Sequence, residues 1–310
     1  MADRQNLEIT TSGWLMLLGL GLLWGGSFFF AGIAVRHVPP FTLAFLRFAL
    51  AALALHVFVA GRFGIYGILR ARWRMFLLLG IVNNALPHSM IFSGQTEIGA
   101  GLASILNATT PIWTVIVAHL MTADEKLTGR KIAGALIGLA GVVMLFSPQL
   151  SAGTSAPLWA MALPLLAALS YGFAAVWSRR FRDVVPAVTA AGQLTASTLV
   201  MLPVVMIHDM PWRLPLPPAG ALGAVLGLAL LSTALAYILY FRLVTVAGAT
   251  NASLVTLLVP PSAILLSTIF LGERMGGEDW AGLALILLGL TVLDGRLWRR
   301  ITGHRRSPAN

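Results

Sequence analysis

Arg47 is a permanent cation inside an apolar run, "PPFTLAFLRFALAALAL" at positions 39–55. No acidic residue lies within reach of it along that segment. A guanidinium there can bind a substrate carboxylate through two parallel hydrogen bonds, or it can donate to backbone carbonyls and hold helices together. A charge inside a membrane costs at least about 2.5 kcal/mol and usually faces the protein interior or a wet cavity. Arg47 is therefore a site candidate, and both roles stay open.

Uncharged polar residues lie inside two further apolar segments: Asn84, His88 and Gln95 in 74–95, and Asn107 and Thr110 in 99–121. Their spacings of three, four and seven residues place each set on one face of a helix. Lipid offers such groups no hydrogen-bond partner. They therefore either line a polar cavity or bond to neighbouring helices, which contributes about 0.6–1 kcal/mol each.

Six aromatic residues within the apolar segments are candidates for the site: Trp24, Phe28, Trp113, Tyr171, Trp177 and Tyr237. Aromatic rings at membrane interfaces need no special explanation, whereas deeper rings either pack in the core or stack on a flat or greasy ligand. As a set, they favour an amphiphilic substrate over a sugar or an inorganic ion.

Acidic residues are confined to tails, loops and the ends of the apolar segments, and there are eleven of them. The carboxylate of a usual proton relay is thus missing from the middle of the membrane. His88 is the one well-placed side chain that titrates near neutral pH. Proton exchange and uncoupled export therefore remain equal alternatives.

Motifs for enzymatic chemistry are absent from the sequence. It contains no GxxxxGK[ST], no HExxH and no cysteine, so ATP-driven pumping and metal-dependent hydrolysis lack their residues. We expect no catalytic residue, no metal and no cofactor. An intramembrane enzyme is the alternative of another class, and it would need a nucleophile or a carboxylate pair in the core.

The elements that position these residues are predicted to be membrane-spanning helices. The chain has 310 residues, 58% hydrophobic and 10% charged, with a mean hydropathy of +0.85. About 20 apolar residues are needed to cross the hydrocarbon, and ten such spans occur. They lie near 13–35, 40–60, 74–95, 99–121, 129–147, 157–178, 186–207, 219–241, 248–271 and 279–297. The prediction is an all-α polytopic membrane protein.

Basic residues predict the orientation of these spans. With the N-terminus in the cytoplasm, 17 of the 21 Lys and Arg residues fall on the cytoplasmic side, as the positive-inside rule requires. Both termini are then cytoplasmic. The net charge of +10 reflects topology and lipid headgroups, so the expected partners are the bilayer and a small-molecule substrate, and not nucleic acid. The oligomeric state stays open, a monomer being one possibility.

Two halves of the chain resemble each other. "GAGLAS" at 99–104 matches "GATNAS" at 248–253, and "LLWGGSF" at 22–28 resembles "ALSYGFA" at 168–174. We therefore expect a tail at 1–12, five-helix repeats at 13–147 and 148–297, and a basic tail at 298–310. Because five is odd, the second repeat enters the membrane from the opposite face, a plan that recurs in secondary transporters. The position equivalent to Arg47 is Leu194, next to Gln193, which favours a structural role for Arg47.

These patterns resemble the EamA family of the drug/metabolite transporter superfamily. The resemblance rests on "LWGGSFF", on "VPPFTLAFLRFALAAL", and on the repeated "ADEKLTGRKIAGALIGLAG" and "LGERMGGEDWAGLALILLGL". It implies a ten-helix exporter of amino acids and small metabolites, with aromatic amino-acid exporters of bacterial inner membranes as nearest members. Arg47 matches an arginine common in that family's second helix. A nucleotide-sugar or other metabolite antiporter is the alternative, but it would want a wider basic cavity.

Alternating access through a central cavity is the mechanism expected for such a protein. We expect helices three, four, eight and nine to line the path. The fourth and ninth carry mid-helix prolines, which free backbone carbonyls, and these two helices are predicted to act as hinges. The predicted hinge residues are Pro111, Pro260 and Pro261.

Overall fold

The computed structural model describes residues 11–59, 64–123, 128–150, 156–247 and 255–294, and every regular element within them is helical. The helices are α1 Thr11–Ala34, α2 Pro40–Val59, α3 Ile65–Ala71, α4 Trp73–Gly94, α5 Ala100–Met121, α6 Gly129–Leu150, α7 Leu158–Phe181, α8 Pro186–Asp209, α9 219–247, α10 255–271 and α11 Gly277–Asp294. The all-helical class is confirmed for these residues.

Each predicted span coincides with one of these helices, and only the short α3 was not predicted. Seven helices, α1, α2, α4, α5, α7, α8 and α9, are long and apolar enough to cross a membrane, and 258–271 of α10 forms a shorter apolar helix. Residues 248–254 and 295–297 of the last two predicted spans lie outside the described residues, as do most of the N-terminal tail and the whole C-terminal tail. Ten crossings remain a prediction.

Large apolar side chains cover much of the outer surface of this helical assembly. Leu53 and Val57 on α2, Leu199 on α8 and Ile269 on α10 are all exposed. Apolar exposure on this scale is unusual for a soluble monomer and marks a surface that contacts lipid or protein. The surface therefore fits a membrane environment.

Helix packing repeats itself when the two halves are exchanged. Helix α1 packs against α9 and α10, and α7, its counterpart in the second half, packs against α4 and α5. The α2–α8 and α6–α11 contacts each join a helix to its own counterpart. Contacts that recur when the two halves are swapped are those expected of similar units related by a two-fold axis.

Glycine contacts between α6 and α11 show the same exchange in detail. A Cβ built on Gly141 would lie 2.7 Å from the carbonyl oxygen of Gly282, and one built on Gly289 would lie 2.6 Å from that of Gly134. The repeat matches Gly141 with Gly289 and Gly134 with Gly282. Each contact is therefore the counterpart of the other, and small residues allow both close approaches.

Four of the described helices, α4, α8, α9 and α10, contain π-helical segments, and those in α4 and α9 lie at the same place in each half. Residues Ile81–Ala85 in α4 and Gly227–Leu235 in α9 are π-helical. Such turns occur frequently at functional sites because the extra residue per turn redirects the side chains. The two turns carry Asn83 and Asn84 in α4, and Ser232 and Thr233 in α9.

Candidate functional site

A cavity of about 390 Å³ lies between the two halves. Its walls come from α1, α2, α4 and α5 of the first half and from α7, α9 and α10 of the second. Ten of the twelve candidate cavity residues line it: Trp24, Phe28, Arg47, Asn84, His88, Gln95, Asn107, Thr110, Tyr171 and Tyr237. Residues that were chosen by their spacing on separate helices therefore line the same cavity.

Arg47 is buried, and hydroxyl groups hold its guanidinium. Nε donates to Thr233 Oγ1 at 2.9 Å, and Nη1 donates to Ser27 Oγ at 2.8 Å. The ring of Phe92 lies 5.9 Å from the guanidinium carbon. Among the described residues no carboxylate contacts Arg47, so its charge is oriented but not neutralised.

Three amide and hydroxyl side chains form a hydrogen-bonded chain beside the cavity. Asn83 Nδ2 donates to Gln193 Oε1 at 2.8 Å, and Gln193 Nε2 donates to the Tyr237 hydroxyl at 3.0 Å. The chain links α4, α8 and α9. Because Gln193 is buried, both of its polar ends need these partners.

His88 is enclosed by aromatic rings on one wall of the cavity. Its ring lies 5.3 Å from Phe48 and 6.0 Å from Tyr171, measured between centroids. Nδ1 is 3.0 Å from the carbonyl oxygen of Asn84, which can only accept, so Nδ1 carries the proton. Nε2 faces the Tyr171 hydroxyl at 3.4 Å.

Several buried polar atoms in the cavity wall have no hydrogen-bond partner among the residues that the structure describes. They are Asn84 Nδ2, Gln95 Oε1, Asn107 Oδ1 and Ser232 Oγ. A buried polar atom without a partner costs about 1–3 kcal/mol, and most are satisfied in folded proteins. Four such atoms around one space indicate that the space takes a polar occupant, whether water or solute.

Trp113 and Trp177 do not line the cavity. Trp177 Nε1 donates to the Met75 carbonyl oxygen at 3.2 Å, and Arg180 stacks 4.1 Å from its ring. Trp113 lies on the part of α5 that packs closely against Gly172 of α7. Both lie within predicted spans, but the position of a residue along a helix does not fix which side of the helix its ring occupies.

The predicted hinge prolines lie in different settings. Pro111 lines the cavity and follows a turn at Ala108 and Thr109 that separates two helical parts of α5, Ala100–Asn107 and Thr110–Met121. Pro260 and Pro261 lie within the continuous helix Val255–Leu266. The helical path is thus interrupted in α5 and not at the α10 prolines.

Other residues of the site were not predicted: Ser27, Asn83, Gln193, Ser232, Thr233 and Tyr240. Serine and threonine are common in membrane helices because they can bond to their own backbone, so their types alone carry little signal. Gln193 was visible as the neighbour of the position equivalent to Arg47. Tyr240 packs against Trp24 in the cavity wall, with ring centroids 5.5 Å apart.

Carboxylates outside the cavity join the two halves. Glu273 accepts from the backbone N–H groups of Ala100 and Gly101 at 2.8 and 3.0 Å, and Asp209 Oδ2 accepts from the backbone N–H and hydroxyl of Thr42 at 2.8 and 2.7 Å. Each carboxylate lies at the start of a helix, where free N–H groups and the helix dipole favour a negative charge.

A third contact joins the halves in the loops. Arg72 donates through both terminal nitrogens to Asp183, with Nη1 2.8 Å from Oδ1. This hydrogen bonding holds the pKa of the Asp183 carboxyl below its usual 3.8. In the predicted orientation, Arg72–Asp183 lies on the cytoplasmic side, while Glu273 and Asp209 lie on the outer side.

Comparison with known proteins gives a consistent family match. The model of the EamA-like transporter family matches residues 11–147 and again 158–293. The chain is 27% identical over 278 residues to the "uncharacterized inner membrane transporter YedA" of Escherichia coli K12, covering 89% of each chain. It is 25% identical to a "probable amino-acid metabolite efflux pump" of Salmonella typhimurium, covering 90% of this chain and 93% of the other.

Two further matches cover almost the full length. A "probable terminal-alkyne amino-acid exporter" of Streptantibioticus cattleyicolor is 23% identical, with 97% of each chain covered. One crystal structure superposes with a TM-score of 0.65 at 24% identity, covering 94% of this chain and 99% of the other. That structure bears on the fold alone.

Proposed function

We propose that this chain, which belongs to the EamA-like transporter family, exports small amphiphilic metabolites, most of all aromatic amino acids, across a bacterial inner membrane by alternating access. The observation that carries the proposal is the cavity, because both family repeats contribute to its wall. A site between two similar halves can open to one side and then to the other as the halves exchange conformations. The family and the named relatives are transporters and not enzymes.

The proposed topology has ten spans in two inverted five-helix repeats, with both termini in the cytoplasm. The bias of Lys and Arg toward one side supports the orientation. The exchange of packing between α1 and α7, and the paired glycine contacts of α6 and α11, support the relation between repeats. An even number of spans per repeat would make the halves parallel.

Amino acids are proposed as cargo on chemical grounds. The cavity combines tyrosine and tryptophan rings, which offer stacking area, with a guanidinium and amides that bond to polar groups. The relatives named for amino-acid metabolites and terminal-alkyne amino acids agree with this choice. A nucleotide sugar carries two phosphates and suits the wall less well, because Arg47 is the one Lys or Arg among the described lining residues.

The moving parts are proposed to be α4, α5, α9 and α10, which line the path. The turn before Pro111 provides one bending point in α5, and Pro260 and Pro261 provide the matching point in α10. Bending there lets one end of each helix move while the other end keeps its contacts.

A counterflow assay in proteoliposomes tests the proposal. Vesicles loaded with unlabelled amino acid should accumulate labelled amino acid, with saturation and without a chemical product. A channel would conduct without saturation, and an enzyme would form product in detergent. Folded protein that exchanges no amino acid or related amphiphile would overturn the substrate assignment.

Tyr171→Leu should slow the exchange about tenfold through lost aromatic and hydroxyl contacts. Tyr66 is exposed and lies away from the cavity, so Tyr66→Leu should not slow it.

A further inference from the structure

The charge of the cavity wall is unbalanced. Arg47 is 7% exposed and contacts hydroxyl oxygens only. None of the lining residues described by the structure is Asp or Glu. A buried cation without a partner is strongly unfavourable, and hydroxyl dipoles relieve that cost only in part. The missing partner is therefore an anion supplied by what enters the cavity.

The guanidinium retains the means to bind that anion. Its bonds to Ser27 and Thr233 use Nε and one hydrogen of Nη1, and no described residue accepts from Nη2. The two bonds hold the plane of the guanidinium at Nε and at Nη1. Both hydrogens of Nη2 and the second hydrogen of Nη1 remain, and they can donate to the oxygens of a carboxylate.

Unpartnered neutral groups complete the recognition pattern. Asn84 Nδ2 and Ser232 Oγ are further donors, while Asn107 Oδ1 and Gln95 Oε1 are acceptors. The acceptors are amide oxygens and carry no formal charge. They can receive the N–H groups of an ammonium, but they cannot offset its charge as a carboxylate would.

We infer that the cavity selects its solute by charge: it takes monocarboxylates and zwitterions through Arg47 and rejects solutes that carry only a positive charge. The inference rests on the proposed transport function and narrows its substrate class. An α-amino acid satisfies both parts of the wall, its carboxylate at Arg47 and its ammonium at the amide oxygens. Decarboxylated amines and cationic drugs satisfy neither the guanidinium nor the charge balance.

Three ligands of one shape separate these cases. Phenylalanine, 3-phenylpropionate and phenethylamine share the phenylethyl group and differ in charge. We would measure their competition against labelled phenylalanine in counterflow, and their effect on the unfolding temperature of the purified full chain. Phenylalanine and 3-phenylpropionate should compete and stabilise. Phenethylamine should bind at least about tenfold more weakly, since a hydrogen bond to a charged group is worth that factor or more.

Variants of Asn84 test the charge without removing Arg47. Asn84→Asp keeps the side-chain shape and adds a negative charge at an amide whose nitrogen has no partner. It should reverse the order, so that phenethylamine binds more tightly than 3-phenylpropionate. Asn84→Ala is the matched uncharged control. It should weaken binding of all three ligands, and 3-phenylpropionate should still bind more tightly than phenethylamine. Arg47→Gln should abolish the preference if it folds, and the Asn84 pair gives the answer if it does not.

Each outcome bears on the inference. Phenethylamine competing as well as 3-phenylpropionate in the parent would overturn charge selection and leave transport standing. If folded Asn84→Asp still bound 3-phenylpropionate more tightly than phenethylamine, charge selection would likewise be overturned and transport would stand. No binding and no exchange by any of the three ligands would overturn both the inference and the proposed function.

Discussion

Arg47 shows how a charge can be oriented inside a membrane without being neutralised. Hydroxyl groups of Ser27 and Thr233 fix the guanidinium from two helices, so it contributes to structure and still faces the cavity. The two roles that the sequence left open are therefore compatible. A carboxylate at either position would have formed a closed ion pair, with less left to bind a solute.

Gln193 is the residue whose loss should disturb the second polar wall most. Gln193→Leu removes the bonds to Asn83 and Tyr237 and leaves buried polar atoms without them. We expect a loss of about 1–3 kcal/mol in the free energy of unfolding, measured by thermal unfolding in detergent. The control is Thr198→Val on the same helix, because the Thr198 hydroxyl donates to the carbonyl oxygen of Leu194 in its own helix. Equal stability of parent and Gln193→Leu would contradict the importance of that chain.

The Arg72–Asp183 pair gives a prediction about pH. Because hydrogen bonding lowers the pKa of Asp183 in the folded protein, its contribution to stability is present at neutral pH and is lost as the pH falls through that lowered value. Asp183→Asn should therefore be less stable than the parent at pH 7, and the difference should shrink as the pH falls through the lowered pKa of Asp183. Unfolding temperatures of both proteins across this range test it. A difference in unfolding temperature that grows as the pH falls would contradict the prediction.

Elements of this protein are brought close together by small residues. A Cβ on Gly25 of α1 would lie 2.5 Å from Ser262 Cβ and 2.8 Å from the Ala263 nitrogen on α10. Gly25→Ala should cost about 1–3 kcal/mol of stability through overpacking. Gly220→Ala is the matched control, since no atom lies within 4 Å of a Cβ there. Equal unfolding temperatures for the two variants would show that this contact can open freely.

A carboxylate from the other half caps the first N–H groups of helix α5. Helix α10 ends at Gly272, whose φ of 69° suits glycine, and the next residue, Glu273, accepts from two N–H groups of α5. Glu273→Gln removes the charge and one acceptor, so we expect about 1–2 kcal/mol less stability. Glu97→Gln, on an exposed side chain outside the helices, provides the comparison. An equal effect of the two changes would argue against a capping role.

The helices were predictable from sequence because about 20 apolar residues in a row have few other structures open to them. The π-helical turns were not, since a change in the backbone hydrogen-bond register leaves no marker in residue type. Ten of the twelve candidate cavity residues meet at one cavity, because helical spacing reports a shared face. Arg47 and Thr233 are 186 residues apart, and no local pattern reveals such a pair.

At the scale of the whole molecule, the fold is two similar halves that share one cavity. Contacts between them lie both in the loops around Arg72 and Asp183 and at the helix starts near Thr42 and Ala100. In the proposed orientation these contacts lie on opposite sides of the membrane. Alternating access requires that the two sets weaken in turn while the cavity residues stay shared.

Access to the cavity from each side of the membrane tests this account most directly. The chain has no cysteine, so Asn107→Cys provides a single thiol in the cavity wall, and Ala263→Cys provides a buried control outside it. A membrane-impermeant maleimide should label Asn107→Cys in proteoliposomes when added to either face, with phenylalanine slowing both reactions, while the control stays unlabelled. Labelling of Asn107→Cys from one face only, with and without solute, would contradict alternating access.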